Sequence, residues 1–137
     1  MIPARNMEPT MPANEQVIAR LTPNYAAQLS RNEVVVFEFE SKRATEVGGL
    51  TSTYAMRVIG FPGDEIRFSR EGLWSDGEEY LTPSGKVVSM ATLPSQKFVV
   101  QEGEYFMIGD NPRVSLDSRF FGTVRASEIK GKILFVE

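Results

Sequence analysis

Glu33-Val34-Val35-Val36-Phe37-Glu38-Phe39-Glu40 reads as a β-strand. β-branched and aromatic side chains dominate it, and the partial alternation with glutamate suits a half-buried pleat. Similar short segments follow. Thr53–Ile59, Asp64–Ser69, Lys86–Leu93, Lys97–Val100, Tyr105–Ile108, Gly122–Val124 and Lys132–Val136 are all predicted strands. Turn chemistry separates them. Phe61-Pro62-Gly63-Asp64 puts Pro and then Gly at the centre of a type II turn, and Ser75-Asp76-Gly77, Pro83-Ser84-Gly85 and Gln101-Glu102-Gly103 punctuate the rest. Only Gln16–Ser30 has helical potential, and Pro23 interrupts it. The pattern predicts a mainly β chain. It is expected to form a single antiparallel β-sandwich or barrel-like domain over residues 1–137, with about residues 70–100 as a small inserted β subdomain. Residues 40–52 are expected to be an exposed loop.

Composition narrows the chemistry. The chain has 137 residues, 42% of them apolar and 24% charged, with 15 Lys+Arg against 18 Asp+Glu. A net charge of −3, with no basic run, does not suggest a nucleic-acid partner. The absence of His and Cys rules out zinc, haem-thiolate and thiol chemistry and any His-based triad. Catalysis would have to come from Ser, Thr, Lys, Asp, Glu or Tyr. The longest apolar runs, such as Val34–Phe37, are far shorter than the ~20 residues of a membrane-spanning helix. With no anchor and no leader in the sequence as given, the chain is expected to be soluble.

Three segments stand out together. They are Ile2-Pro3-Ala4-Arg5-Asn6-Met7-Glu8-Pro9-Thr10-Met11, Tyr54-Ala55-Met56-Arg57-Val58-Ile59-Gly60-Phe61-Pro62-Gly63-Asp64, and Gly109-Asp110-Asn111-Pro112-Arg113-Val114-Ser115-Leu116-Asp117-Ser118-Arg119-Phe120-Phe121-Gly122. In this order they resemble the type I signal peptidase family. The family pattern is Ser-Met-x-Pro-Thr, Lys-Arg-x-x-Gly-x-Pro-Gly-Asp and Gly-Asp-Asn-Arg-x-x-Ser-x-Asp-Ser-Arg. Arg31-Asn32-Glu33 before the apolar strand is a weaker fourth match. The resemblance implies the fold of the signal peptidase catalytic core and a serine nucleophile activated by a lysine base. A serine hydroxyl needs such a base, and burial lowers a lysine pKa toward the working pH. No cofactor or metal is implied.

The sequence departs from the family at the dyad. Asn6 occupies the nucleophile position and Met56 the general-base position, while Ser115 keeps the hydroxyl that orients the lysine. An amide is not a useful acyl-transfer nucleophile, and a thioether accepts no proton at neutral pH. Ala4 stands where some members carry a hydroxyl that helps to hold the oxyanion. On an extended strand Tyr54, Met56 and Val58 share one apolar face, where methionine packs without the desolvation cost of lysine. Asp117 and Arg119 are expected to brace their loop as an ion pair, worth ~0–1 kcal/mol if exposed.

By position, the residues lining the family's peptide pockets are Ile2, Ala4, Met7, Met11, Tyr54 and Ala55. An extended peptide is expected to add there as a strand. The function implied is that of a signal-peptidase-like protein, catalytically inactive as written. It would bind signal peptides or preproteins, or modulate an active signal peptidase paralogue. The alternative is an active atypical serine endopeptidase with a relocated hydroxyl and lysine. The resemblance also implies the outer face of a membrane, with the membrane surface as a partner.

Overall fold

The computed structural model describes residues 7–11, 17–22, 24–40, 53–89 and 95–136. The strands are β1 (Val17–Leu21), β2 (Val34–Phe37), β3 (Tyr54–Gly60), β4 (Glu65–Ser69), β5 (Gly72–Ser75), β6 (Glu78–Glu79), β7 (Gln96–Val99), β8 (Glu104–Ile108), β9 (Val124–Arg125) and β10 (Ile129–Val136). They form a six-stranded sheet in the order β1-β10-β2-β3-β8-β9 and a four-stranded sheet in the order β6-β5-β4-β7. All of the pairings are antiparallel. The chain is therefore mainly β, as its patterning predicts, and its two sheets stay open rather than closing into a barrel.

Three departures from the predicted elements have physical causes. Among the described residues of Gln16–Ser30 no α-helix forms; β1 runs along the edge of β10, and a short 3-10 helix covers Tyr25–Gln28. Pairing with the long β10 overrides the weak helical preference of the segment. Gly131 permits this pairing, because a Cβ on it would stand 1.9 Å from the Arg20 carbonyl oxygen. The stretch Lys86–Leu93 supplies, among its described residues, only a bridge from Val87 to Leu81. The Asp76-Gly77 turn joins two strands that the patterning did not mark, β5 and β6. Both turn residues have positive φ, 50° and 84°, the geometry of a type I′ hairpin. The predicted turn at Pro62-Gly63 is present. Gly63 has φ 93°, and the Asp64 N–H donates to the Phe61 carbonyl at 3.0 Å.

β3 lies inside the larger sheet and feeds a different cluster from each face. Met56 and Val58 pack with Val35, Phe37, Phe39 and Met107 in the main core, with Tyr54 partly buried against it. Ile59 points the other way, into a second core that it forms with Phe106 and Ile108 and with Ile66, Phe68 and Leu73 of the smaller sheet. Ala55, also on that side, packs with Met7 and Met11. Among the described residues no helix is long and apolar enough to cross a membrane.

Gly60 is closely packed, since an added Cβ would lie 2.7 Å from Phe106 Cβ on the neighbouring strand β8 and 3.1 Å from Ile66 Cδ1 of the smaller sheet. Gly60→Ala is therefore expected to overpack the joint and lower stability by about 1–3 kcal/mol. Urea unfolding monitored at Trp74 reads this as a lower midpoint with an unchanged slope.

Candidate functional site

The turn Met7–Met11, strand β3 and the loop after β8 converge on Asp110, whose carboxylate is almost wholly buried. Arg57 reaches it with two parallel bonds, Nε to Oδ1 at 2.9 Å and Nη2 to Oδ2 at 2.7 Å. The remaining Arg57 nitrogen donates to the Asn32 carbonyl at 2.6 Å. From the opposite side the Thr10 hydroxyl donates to Asp110 Oδ2 at 2.5 Å. The Asp110 N–H donates to the sulfur of Met7 at 3.3 Å. One carboxylate thus ties the Met7–Met11 turn to the sheet. The bond to Arg57 holds that guanidinium pKa above its ordinary value.

A second buried carboxylate organises the following loop. Asp117 accepts from the Ser115 hydroxyl at 2.7 Å, the Gly109 N–H at 3.2 Å and the Arg119 N–H at 3.2 Å. Arg119 adds two side-chain bonds, Nε to Oδ1 at 2.8 Å and Nη2 to Oδ2 at 2.9 Å. It also donates to the carbonyls of Ser89 and Pro112. The pair braces the loop as expected, but it is buried, with side chains 0% and 1% exposed. The small value of an exposed pair does not apply to it, because removing either partner leaves a bare charge in the interior. Asp117 also caps the helical turn Ser118–Phe121, which we label α1.

The predicted site residues distribute as follows. Ile2, Ala4 and Asn6 lie outside the described residues. Met7, Met11 and Ala55 come together and are buried, packed against Val34 and Ile133. Tyr54 and Met56 lie on the other face of β3. The Tyr54 ring stacks on Phe37 with centroids 5.7 Å apart, and Met56 is 1% exposed. Ser115 bonds the Asp117 side chain rather than local backbone. Arg57 pairs with Ile108, so continuing the register by one residue sets Met56 opposite Gly109, whose N–H also binds Asp117. Met56 and Ser115 thus adjoin the same short stretch of chain.

A profile of the family described as signal peptidase, peptidase S26 matches residues 1–136. The chain belongs to this family. Signal peptidase IB of Staphylococcus aureus (strain COL) is 27% identical to it over 150 residues, which cover 98% of this chain and 74% of the relative. Signal peptidase I of Bacillus amyloliquefaciens is 29% identical over 145 residues, covering 99% and 73%. A crystal structure of a signal peptidase I from Enterococcus faecalis V583 matches with a TM-score of 0.53 and 27% identity, over 76% of this chain and 95% of that one.

Among the described residues the other hydroxyls and lysines near the site do not pair. Thr10 donates to Asp110 and Ser115 to Asp117, while Ser118 Oγ accepts from the Met107 N–H. Lys97 and Lys132 approach Glu65 and Glu33, and Lys130 donates to the Ser127 carbonyl. Among the described residues no lysine ammonium bonds a hydroxyl.

The sequence did not single out Tyr80. Its hydroxyl is buried and makes no hydrogen bond among the described residues. Burial pushes its pKa up to about 12, and the negative charge of Asp110 adds to the shift. Tyr25 is also raised to about 12, by burial and by its hydrogen bond to Glu33. A phenol with a raised folded-state pKa binds its proton more tightly when folded. Its contribution is complete below the unfolded value of about 10 and falls as pH rises toward the folded one.

Three outcomes follow. Urea stability is expected to decline between pH 10 and pH 12, the window of the Tyr25 and Tyr80 shifts. Tyr80→Phe should flatten that decline and raise stability at neutral pH by about 1 kcal/mol, since it deletes an unpaired buried hydroxyl. Asp117→Asn, by contrast, strands the Arg119 charge and is expected to cost about 3–5 kcal/mol, read from the same unfolding curves.

Proposed function

We propose that this chain is a pseudoenzyme of the signal peptidase family. It binds signal-peptide-like segments of preproteins and does not cut them. The observation that carries this reading is the pairing of a substituted dyad with an organised surround. Asn6 stands at the nucleophile position, and Met56, at the base position, is packed into the main core. Among the described residues the Asp110–Arg57–Thr10 and Asp117–Arg119–Ser115 networks are complete.

The chemistry is consistent with loss of cleavage. Acyl transfer needs a nucleophile and a proton acceptor within hydrogen-bond reach of each other. Asp110 already accepts three side-chain bonds, and Asp117 accepts five in all. Neither has the freedom to take a proton from Thr10 or Ser115 and return it to a leaving group. Peptide capture needs only an accessible strand edge and small apolar pockets. By family position the pockets fall at Ile2, Ala4, Met7, Met11 and Ala55, whereas Tyr54, the remaining family position, faces the main core on the opposite side of β3 and does not share a pocket with Ala55, Met7 and Met11. The natural clients are signal peptides, and an active signal peptidase of the same cell is the paralogue whose substrate supply this chain would modulate. The outer face of a membrane is where such a pool is found.

The second reading, an atypical endopeptidase, rests on Thr10. Its hydroxyl is on an exposed residue and donates to a carboxylate. Incubation with a signal-peptide substrate in detergent separates the two. The pseudoenzyme is expected to bind without cleaving. Cleavage abolished by Thr10→Val would establish the second reading instead. Asn6→Ser with Met56→Lys should restore measurable cleavage, and neither change alone should do so. A folded double variant that binds peptide but stays silent would overturn the claim of a preserved site.

A further inference from the structure

A cavity of about 890 Å³ lies where the end of β1, the 3-10 helix Tyr25–Gln28 and the start of β10 come together. Its size falls in the range of about 300–1,000 Å³ typical of small-molecule sites. Small side chains leave room for it. Ala26 and Ala27 line it from the first 3-10 helix, and Ala126 from a second, Ala126–Glu128. Ile129, buried with the main core, and Leu21, 69% exposed, add larger apolar surface. Backbone bonds fix the frame. The Thr22 N–H donates to the Lys130 carbonyl at 2.9 Å, the Ala27 N–H to the Asn24 carbonyl at 3.1 Å and the Glu38 N–H to the Glu128 carbonyl at 3.0 Å. Of the described family pocket positions, Met7, Met11, Tyr54 and Ala55, none lines this cavity.

Four polar side chains of the lining carry groups that the fold leaves largely unused. Asn24 holds a left-handed backbone conformation, φ 56°, and its carboxamide does not cap the helix it precedes. The Thr22 hydroxyl makes no hydrogen bond among the described residues. The Lys130 ammonium donates to the Ser127 carbonyl at 3.1 Å and pairs with no carboxylate among the described residues. Glu38 Oε2 accepts from the Thr53 hydroxyl at 3.4 Å, and its other oxygen accepts nothing among the described residues. The set is amphoteric. It offers a cation and two neutral donors to a carboxylate, and a carboxylate to an N–H. An aliphatic acid would leave Glu38 unmatched, and an aliphatic amine would leave Lys130 unmatched. The end of a peptide supplies both an α-carboxylate and N–H groups, with apolar side chains for the alanine-lined walls.

We propose that this cavity binds a short apolar peptide by its free α-carboxylate. Lys130, Asn24 and Thr22 hold the carboxylate, and Glu38 accepts a peptide N–H. The site is separate from the family pocket positions and does not depend on whether they take a substrate.

The probe is N-acetyl-leucyl-leucine, added to the full chain and followed by calorimetry and by backbone amide NMR. Binding is expected, with shifts at Ala26, Ala27, Ser127 and Lys130 and not at Ala55. The C-terminal amide of the probe should bind about fivefold more weakly, because it loses the charge pair with Lys130. Octanoate, which has the carboxylate but no N–H, should also bind about fivefold more weakly. Lys130→Gln should weaken the acid by about fivefold and leave the amide unchanged, and Lys130→Arg should keep the affinity for the acid. Ala27→Phe fills the cavity from an exposed position and should abolish binding of the probe. It should leave binding of a signal-peptide substrate unchanged; if the unaltered chain binds no such substrate, the proposed function fails and this site does not. The Lys130 comparison stands even if Ala27→Phe fails to fold. No binding of the probe, equal affinity for acid and amide, or shifts confined to Met7, Met11 and Ala55 would overturn the proposal. Octanoate binding as tightly as the dipeptide would overturn it in favour of an aliphatic carboxylate. Loss of probe and signal-peptide binding together in a folded Ala27→Phe chain would overturn the separation of the two sites.

Discussion

The buried pair between Asp110 and Arg57 is the joint on which the site depends. Arg57 belongs to the central strand β3, Asp110 opens the loop after β8, and Thr10 and Met7 belong to a turn about a hundred residues away in sequence. A carboxylate taken out of water must be matched by donors, and Asp110 is matched by two guanidinium nitrogens and a hydroxyl. The same bonds that satisfy this charge dock the Met7–Met11 turn against the sheet. Loss of one partner would free the turn and leave the others unpaired in the interior. The second clamp, Asp117 with Arg119, does the same for the loop after Asp110 and fixes which of its residues face in and which face out.

Met56 fills its place in the main core beside Val58 and Met107, where an ammonium would have to be desolvated. The Tyr80 hydroxyl, unpaired among the described residues, sits in the field of Asp110.

Much of the fold was legible along the chain. The runs Val34–Phe37, Tyr54–Gly60 and Glu65–Ser69 announced themselves by β-branched and aromatic alternation, and Pro62-Gly63 by the backbone conformation only such a pair favours. The weaker elements were not legible. β1 has too little pattern to outweigh helical potential, and it is a strand because β10 offers it an edge. β5 and β6 are too short to show a period, although the Asp76-Gly77 turn between them carried a hairpin signal.

By itself the sequence determined the mainly β class, the order of the family motifs, and the chemical character of Asn6 and Met56, an amide and a thioether. These follow from residue type and near-neighbour spacing, which a linear chain displays directly. Only the tertiary structure decided that Asp117 and Arg119 are buried rather than exposed, and that Ala55 packs with Met7 and Met11 while Tyr54 and Met56 join the opposite core. It alone placed the Tyr80 hydroxyl in the field of Asp110. Burial and pairing depend on which distant segments arrive at a given face, and no local pattern in the sequence encodes that arrival.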